Sequence, residues 1–223
     1  MNQSLRVGVL ASGGGTDLQS IIDAVEHHNI DATVVVVISD NKDAYALKRA
    51  EKHGIPPIFL DPKNLDREEY DKQLDDCCKR YQSDLIVGAG YMRILSSSFV
   101  DKWFGRLINI HPALLPSFKG VNGQEQAFSY GVKLAGCTTH FIDNEMDHGP
   151  IILQAAVPVL FKDTTETLKQ RILEVEHQIL PRTIQLFAEE RLQIQGRKVE
   201  ITPGDSWKDI YPVISDVLYS EGY

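Results

Sequence analysis

Strand-like and helix-like segments alternate along residues 5–89, and this alternation limits the possible folds more than any other feature. The strand-like runs are apolar without interruption, as in residues 34–38 and 85–87, and are rich in β-branched side chains. The segments between them place apolar residues three and four positions apart, the spacing of an amphipathic helix. Continuous hydrophobicity is typical of strands covered on both faces. The pattern therefore predicts an α/β fold, a doubly wound, mostly parallel sheet with helices on both faces.

The predicted elements continue to the end of a long last helix. Strands are expected at residues 5–11, 32–38, 57–60, 84–89, 106–110, 135–142 and 151–159. Helices are expected at residues 17–28, 43–53, 66–81 and 164–190, the last with Thr164 or Thr165 near its cap. Residues 111–123 are rich in Pro, Gly and Ser without periodicity, so they are expected to form a loop. We expect one domain over residues 1–201 and a C-terminal tail, 202–223, packed on or near its surface.

Charge and composition narrow the class of partner. The 223 residues include 31 acidic and 23 basic side chains, a net charge of -8. Nucleic-acid recognition needs a basic face, so no nucleic acid is expected as a partner. The apolar runs are shorter than the ~20 residues of a membrane span, and the N-terminal run lacks the flanks of a signal peptide. Cys77, Cys78 and Cys137 are too few for a disulfide framework, which predicts reduced thiols. We expect a cytoplasmic monomer or homodimer that acts on small molecules, with no membrane partner.

Two of the predicted strands end in loops suited to ligands. In an open α/β sheet, ligands bind beyond the carboxyl ends of the strands. Residues 12–17 place three consecutive glycines before a helix, and backbone N–H groups at a helix N-terminus attract anions. Residues 90–95 combine one charge with large apolar side chains, which suits the wall of a pocket for a flat ligand.

A third strand end carries Asn109 and His111. Because they are two residues apart, they point to the same face of the strand. A later polar stretch, residues 143–148, adds carboxylates. An Asn, a His and an Asp brought together would supply an oxyanion donor, a proton carrier and a group that tunes it. Residues 140–148 also hold potential metal ligands, but their spacing matches no zinc signature, so no metal is expected.

The residues alone leave a second class of function open. The glycine loop is not a P-loop, and as a dinucleotide fingerprint it is incomplete, because Leu18 stands about where a later glycine should be. Asp40, at the end of the second predicted strand, could contact a ribose. A nucleotide-binding module without turnover, or an NAD-dependent dehydrogenase, is the alternative. Neither explains Asn109, His111 and Asp147 together.

Together the motifs resemble those of the phosphoribosylglycinamide formyltransferase family of folate-dependent enzymes. The resemblance runs from about Arg6 to Ile201 and is carried by residues 12–15, 90–95, 109–116 and 147–151. Its Asn-x-His-Pro-x-Leu-Leu-Pro and Asp-x-Gly-Pro elements are specific for folate formyltransferases, and mark that superfamily more firmly than the substrate. The resemblance implies a Rossmann-like formyltransferase fold. It also implies transfer of a formyl group from 10-formyltetrahydrofolate, the co-substrate, to the amine of 5-phosphoribosylglycinamide, a step of de novo purine biosynthesis.

The resemblance assigns roles by position. His111 corresponds to the proton carrier, Asn109 to the stabiliser of the tetrahedral oxyanion, and Asp147 to the carboxylate partner of His111. The positions that bind the ribonucleotide correspond to Gly15, Thr16, Asp17 and Glu176. The positions that contact the folate correspond to Arg67, Met92, Arg93, Ile94, Leu95 and Asn109.

The chain departs from the family pattern at two places. Asp17 stands where asparagine is common, and a carboxylate repels a phosphate. We expect backbone N–H groups to hold the phosphate while Asp17 caps the helix. Residues 118–123 replace a segment that usually contains histidine and borders both substrates. We expect this change to alter affinity and to leave the reaction intact.

Two other members of the superfamily share the Asn, His and Asp set. Methionyl-tRNA formyltransferase carries an additional C-terminal domain for tRNA, and formyltetrahydrofolate hydrolase carries an N-terminal regulatory domain. The chain ends early for the first and opens directly into its first predicted strand, unlike the second. The negative net charge also disfavours tRNA. The sequence therefore favours the ribonucleotide transferase, with the hydrolase as the alternative within the superfamily.

Overall fold

The computed structural model describes residues 4–204 and 214–223, which form one sheet of ten strands with six helices around it. The strands are β1 (Leu5–Leu10), β2 (Ala32–Ser39), β3 (Pro57–Phe59), β4 (Leu85–Gly88), β5 (Leu107–His111), β6 (Leu134–Phe141), β7 (Ile151–Pro158), β8 (Leu192–Gln195), β9 (Lys198–Ile201) and β10 (Leu218–Tyr219). The helices are α1 (Thr16–Glu26), α2 (Tyr45–Lys52), α3 (Arg67–Arg80), α4 (Ser97–Trp103), α5 (Gly123–Tyr130) and α6 (Thr165–Ala188).

The order of the strands places a crevice beside β1. Along the sheet the order is β3-β2-β1-β4-β5-β6-β7-β9-β8, and β10 also pairs with β7. Strands β1 to β5 are mutually parallel, whereas β6 is antiparallel to both of its neighbours. The chain order reverses at β1, which lies between β2 and β4. At such a reversal the loops after neighbouring strands diverge and leave room for a ligand.

Helices cover both faces of the sheet, as the sequence predicts. Helices α1, α2, α5 and α6 contribute to one apolar core, and α3 and α4 contribute to the other. Neighbouring residues of β2 divide between the two: Val37 faces the first core, while Val36 and Ile38 face the second. Because successive side chains of a strand point to opposite faces, a strand covered on both faces is apolar at every position. The predicted doubly wound, mostly parallel α/β fold is confirmed.

Side-chain caps set the start of three helices: Asp66 caps α3, Ser96 caps α4 and Thr164 caps α6. Asp66 accepts a hydrogen bond from the backbone N–H of Glu69 at 2.8 Å, and the Glu69 carboxylate accepts from the Asp66 N–H at 3.1 Å. This capping box satisfies two backbone donors that an open helix end leaves unpaired. Thr164, one of the two positions predicted for the cap, caps α6. The Arg171 guanidinium in α6 then binds the Asp163 carboxylate through two hydrogen bonds, of 2.7 and 2.8 Å.

Four features are missing from the sequence prediction: α4, α5, the hairpin of β8 and β9, and the short strand β10. Helices α4 and α5 have only seven and eight residues, too few for a clear helical period. Contacts with distant parts of the chain decide α4, because Phe99, Val100 and Trp103 insert into the second core between the sheet and α3. The loop predicted at residues 111–123 ends at Gly123, where α5 begins.

The structure describes residues 202–204 and 214–223 of the predicted tail. Residues 205–213 lie outside the described residues, whereas residues 214–223 lie against the sheet. There β10 pairs antiparallel with β7, and the Tyr219 and Tyr223 rings stack with centroids 3.9 Å apart. The Arg182 side chain of α6 donates a hydrogen bond to the Gly222 carbonyl at 2.9 Å. The division into a domain and a tail at residue 201 stays a prediction. Among the described helices, none has the length and hydrophobicity needed to cross a membrane.

Candidate active site

Ser12 ties together the loops that follow three parallel strands. Its backbone N–H donates to the Gly90 carbonyl at 3.0 Å, which joins the loops after β1 and β4. Its hydroxyl donates to Asp40 Oδ1, after β2, at 2.6 Å and accepts from the Met92 backbone N–H at 2.9 Å. Asp40, the candidate ribose contact, thus accepts a hydrogen bond from Ser12. This junction defines the floor of the candidate site.

His111 is buried at the end of β5 between two acceptors. Its Nε2 lies 2.9 Å from the Phe118 carbonyl oxygen, and its Nδ1 lies 3.4 Å from Asp147 Oδ2. The same carboxylate oxygen accepts a hydrogen bond from the Gly120 N–H at 2.7 Å. Because a carbonyl oxygen only accepts, the contact with Phe118 places an N–H on Nε2. The structure therefore brings His111 and Asp147 together, with the carboxylate on the Nδ1 side of the ring.

His140 lies next to these residues, although its sequence context indicated only a potential metal ligand. It lies opposite Asn109 in the pairing of β5 with β6, and its Nδ1 is 2.9 Å from the Phe141 carbonyl. That contact places the ring proton on Nδ1, and burial lowers the pKa of His140, which favours the neutral ring. Nε2 is then an acceptor, and Asn109 Nδ2, 3.3 Å away, donates to it. His140 thus orients the Asn109 amide and leaves its second N–H for another acceptor.

Two glycines make room for these side chains. A Cβ atom at Gly88 would lie 2.8 Å from Asn109 Oδ1, closer than atoms approach without moving. A Cβ at Gly123 would lie 3.1 Å from the Phe118 carbonyl oxygen and 3.3 Å from His111 Nε2. The absence of side chains at both positions lets β4 and α5 approach the two polar residues closely.

The glycine loop leads into an uncapped helix. Gly15 has a left-handed conformation (φ 69°), and a Cβ there would lie 2.8 Å from the Ala46 Cβ. No side chain of the described residues caps α1, so the N–H groups of its first turn remain available to an anion. The expectation that Asp17 caps this helix is wrong. Asp17 is the second residue of the helix, and its carboxylate is directed toward α6, where Oδ1 lies 3.7 Å from His177 Nε2.

Glu176 and Asp17 form a buried acidic pair below the glycine loop. Burial raises the pKa of Asp17 to about 6. Burial also raises the pKa of Glu176 well above its usual range, and the nearby charge of Asp17 raises it further. Burial lowers the pKa of His177, the next residue on α6. The structure therefore brings together the predicted ribonucleotide residues of α1 and α6, and adds His177 to them.

Apart from Asn109 on β5, the residues predicted at the folate lie in the loop after β4 and at the start of α3. Arg67 is exposed as the first residue of α3, and Tyr70, one turn later, lies under the Arg93 guanidinium at 4.4 Å from ring centroid to Cζ. Met92 and Ile94 are 70% and 55% exposed, whereas Leu95 is half-buried against the second core. Exposed apolar side chains next to a cation suit a ligand that is flat at one end and anionic at the other.

Metal ligands do not gather at this site. In the part of the chain that the structure describes, no three His, Cys, Asp or Glu side chains come together as a potential metal site. His148, in the predicted metal-like stretch, binds Asp143 Oδ2 at 2.8 Å.

The sequence model of the formyl transferase family matches residues 5–184, most of the chain. The chain therefore carries a formyl transferase domain, with Asn109, His111 and Asp147 inside the matched range. Among solved structures, glycinamide ribonucleotide transformylase 1 from Symbiobacterium toebii superposes with a TM-score of 0.89 at 48% identity, covering 91% of this chain and 96% of that one. A formyltetrahydrofolate deformylase from Pseudomonas syringae pv. tomato superposes with a TM-score of 0.84 at 30% identity, covering 90% of this chain and 67% of that one.

The chain belongs to the phosphoribosylglycinamide formyltransferase family. It is 42% identical over 191 residues to the phosphoribosylglycinamide formyltransferase of Escherichia coli, covering 85% of this chain and 90% of that protein. It is 45% identical over 190 residues to the human trifunctional purine biosynthetic protein adenosine-3, again over 85% of this chain. The chain spans only 19% of the length of that trifunctional relative.

Proposed function

We propose that the protein transfers a formyl group from 10-formyltetrahydrofolate to the amine of 5-phosphoribosylglycinamide, giving formylglycinamide ribonucleotide in de novo purine biosynthesis. The arrangement of Asn109, His111 and Asp147 at one edge of the sheet carries this proposal. The acidic pair below the glycine loop and the exposed apolar loop after β4 support separate places for the two substrates. Family membership supports the same assignment.

His111 and Asn109 act on the oxygen of the formyl group. When the amine nitrogen bonds to the formyl carbon, the C=O electron pair moves to oxygen and leaves a negative charge there. The second N–H of Asn109 and the Nε2–H of His111 donate to this oxygen, which takes the place of the Phe118 carbonyl at Nε2. Losing one such donor typically raises the barrier by ~2.7–4 kcal/mol.

Asp147 positions His111. Its Oδ2 lies 3.4 Å from Nδ1 and is itself held by the Gly120 N–H. A carboxylate beside Nδ1 orients the imidazole ring and attracts the positive charge that the ring gains while it carries a second proton. To complete the transfer, the amine loses a proton, the departing folate nitrogen gains one, and the bond between that nitrogen and the formyl carbon breaks. His111, or a water molecule beside it, carries this proton.

The two substrates bind on either side of His111. The backbone N–H groups of Gly15, Thr16 and Asp17 hold the phosphate at the start of α1, and Glu176 faces the ribonucleotide from α6. The folate lies along residues 92–95 and reaches Arg67 with its anionic end. The reaction needs no metal ion in this scheme.

The protein is proposed to work in the cytoplasm as a monomer or homodimer, without nucleic-acid or membrane partners. All three cysteines, Cys77, Cys78 and Cys137, are buried free thiols. Burial raises the pKa of each of them, which keeps the thiols protonated and unreactive. Such cysteines suit a reducing compartment.

The experiment that tests the function is an absorbance assay of 10-formyl-5,8-dideazafolate deformylation, run with and without the ribonucleotide. We expect turnover that requires the ribonucleotide and that falls by about 10²–10³ in His111→Ala. His148→Ala is the matched control, because His148 lies one residue after Asp147 but contacts Asp143 instead of His111. It should keep kcat within about twofold, in the ±0.5 kcal/mol range of substitutions away from key contacts.

The assay also separates the alternatives. Turnover of the folate without the ribonucleotide would show a hydrolase and contradict the proposed transfer. Folate binding without turnover in either condition would show a binding module. Equal rates for the wild type and His111→Ala would remove His111 from the reaction.

A further inference from the structure

Asp17 and His177 face each other across the start of the ribonucleotide site, and neither is satisfied. Asp17 Oδ1 and His177 Nε2 are 3.7 Å apart, just beyond hydrogen-bond distance. Both atoms are buried, and neither has a hydrogen-bond partner among the described residues. Two buried polar atoms that point at each other become satisfied when one proton lies between them. This contact joins the first turn of α1 to the middle of α6, on a cleft of about 400 Å³ that Thr16 and His177 line.

The charged groups around Asp17 and His177 are mostly acidic, and Arg49 is a basic residue among them. Glu176, next to His177 on the same helix, lies close enough to Asp17 for the charge of Asp17 to raise its pKa. The charged and titratable groups around the pair come from four elements: Asp23 of α1 and His27 at its C-terminal end, Arg49 of α2, Cys137 of β6, and Glu174 and Glu176 of α6. Arg49 donates to the Gly14 carbonyl at 2.9 Å, so its charge is already directed at the glycine loop.

An ionised Asp17 would oppose the proposed ligand of this loop. A phosphate at the first turn of α1 would lie within a few ångströms of the Asp17 carboxylate, and like charges at that distance repel. Burial has already raised the pKa of Asp17 to about 6, so its proton is held far more tightly than that of an exposed aspartate. A phosphate close by would raise that pKa further.

We propose that His177 is a specificity residue of the ribonucleotide site, which shares a proton with Asp17 and so removes the negative charge that Asp17 would present to the phosphate. The inference rests on the proposed function, since it assigns a partner to the proposed phosphate site. The ribonucleotide then binds together with a proton. Its affinity is highest below the pKa of the free pair and decreases as the pH rises through it.

The test is a double-mutant cycle with the KM for the ribonucleotide as its readout. His177→Leu leaves Asp17 as an unpaired charge, so it should raise this KM by about tenfold, the equivalent of one pKa unit of coupling. Adding Asp17→Asn removes the charge and should restore the KM to within about twofold of Asp17→Asn alone. The KM for the folate should stay unchanged in all four proteins, because none of residues 92–95 lines the cleft beside the pair.

A third variant separates proton sharing from a simple hydrogen bond. His177→Gln keeps an N–H donor but cannot carry the proton, so it should raise the KM as His177→Leu does. His177→Gln also tests the proposal if His177→Leu does not fold. A wild-type KM in His177→Gln, or a KM in the double variant as high as in His177→Leu, would overturn the inference.

Proton uptake gives a readout that does not need turnover. Ribonucleotide binding is measured calorimetrically at pH 7 in two buffers of different ionisation enthalpy, for the wild type and for Asp17→Asn. The second ionisation of the phosphate itself falls near pH ~6 and affects both proteins equally. We expect greater proton uptake in the wild type, and equal uptake would overturn the inference. Binding with proton uptake but without formyl transfer would instead contradict the proposed function and leave the inference standing.

Discussion

Replacing Thr138 by valine tests whether the loop after His111 is held by a buried hydroxyl. Thr138 lies on β6 opposite His111 and is 0% exposed. Its Oγ1 donates to the Ala113 carbonyl at 2.7 Å and accepts from the Leu115 N–H at 3.1 Å and from Gln154 Nε2 at 3.0 Å. One hydroxyl thus fixes two backbone groups of the loop that follows the proposed proton carrier.

Thr138→Val exchanges the hydroxyl for a methyl group of similar size, so the change is confined to these hydrogen bonds. Gln154 keeps its bond to the Leu115 carbonyl, and Leu115 N–H keeps its 3.1 Å bond to the Ala113 carbonyl. The Ala113 carbonyl and the Leu115 N–H each lose one of two hydrogen-bond partners, at about 1–2 kcal/mol each, so the free energy of unfolding should fall by about 2–4 kcal/mol. For a chain of this size, the Tm should fall by about 4–16 °C.

Losing the hydrogen bonds of Thr138 should also lower the rate of the reaction. A catalytic group displaced by about 1 Å can lose up to 10²-fold in rate, and we expect kcat to fall by about tenfold or more. Thermal unfolding followed by circular dichroism gives the Tm. The kcat is measured in the deformylation assay, at a temperature well below both unfolding transitions.

Thr139→Val is the matched control. Thr139 is also 0% exposed but points to the other face of β6, where its Oγ1 accepts from Leu153 N–H at 3.1 Å and lies 2.8 Å from Thr183 Oγ1 on α6. It should lower the Tm comparably and leave kcat within about twofold. The reasoning fails if Thr138→Val retains full kcat despite a lower Tm, or if both variants lose the same activity.

Three further results are expected. Ser12→Ala removes the hydroxyl that accepts a hydrogen bond from the Met92 N–H. It should raise the KM for the folate about fivefold, which corresponds to one hydrogen bond of ~1 kcal/mol. An unchanged KM in steady-state kinetics would contradict this role of Ser12. Gly88→Ala places a Cβ 2.8 Å from Asn109 Oδ1 and should lower kcat by about 10²–10³; a normal kcat would exclude Asn109 as the oxyanion donor. Hydrogen bonds from Arg171 hold the pKa of the Asp163 carboxyl well below its usual range. The ionised carboxylate therefore stabilises the fold above the unfolded pKa of ~3.9, and this stabilisation is lost as the pH falls toward the folded value. Asp163→Asn should therefore be less stable than the wild type in urea unfolding at pH 7, by a margin that shrinks at pH 3; a margin independent of pH would refute this.

The fold and part of the site follow from local sequence. The apolar run of β2 predicts a strand covered on both faces, because both neighbours of each residue must be apolar there. Thr164 marks the start of α6 through its own hydroxyl, an interaction that spans three residues. Asn109 and His111 share a face because the strand period is two. In each case the decisive interaction lies within a few residues along the chain.

Other features depend on which distant residues meet. Helix α6 continues through Pro181, a residue that weakens a helix interior, because Leu180 and Ile184 beside it are buried in the first core. The seven residues of α4 are too short to predict alone and are helical because their apolar side chains fill the second core. Local propensity is weak compared with burial of this kind.

The sequence by itself determined the α/β class, the order of its main strands and helices, and the alignment of Asn109 with His111. Only the tertiary structure decided which residues surround them. His140 reaches Asn109 through the antiparallel register of β6, and Asp17 turns from its own helix end toward His177, far along the chain. Register and helix packing depend on the shape and charge of surfaces that form only when the chain has folded. A linear pattern of residue types does not contain them.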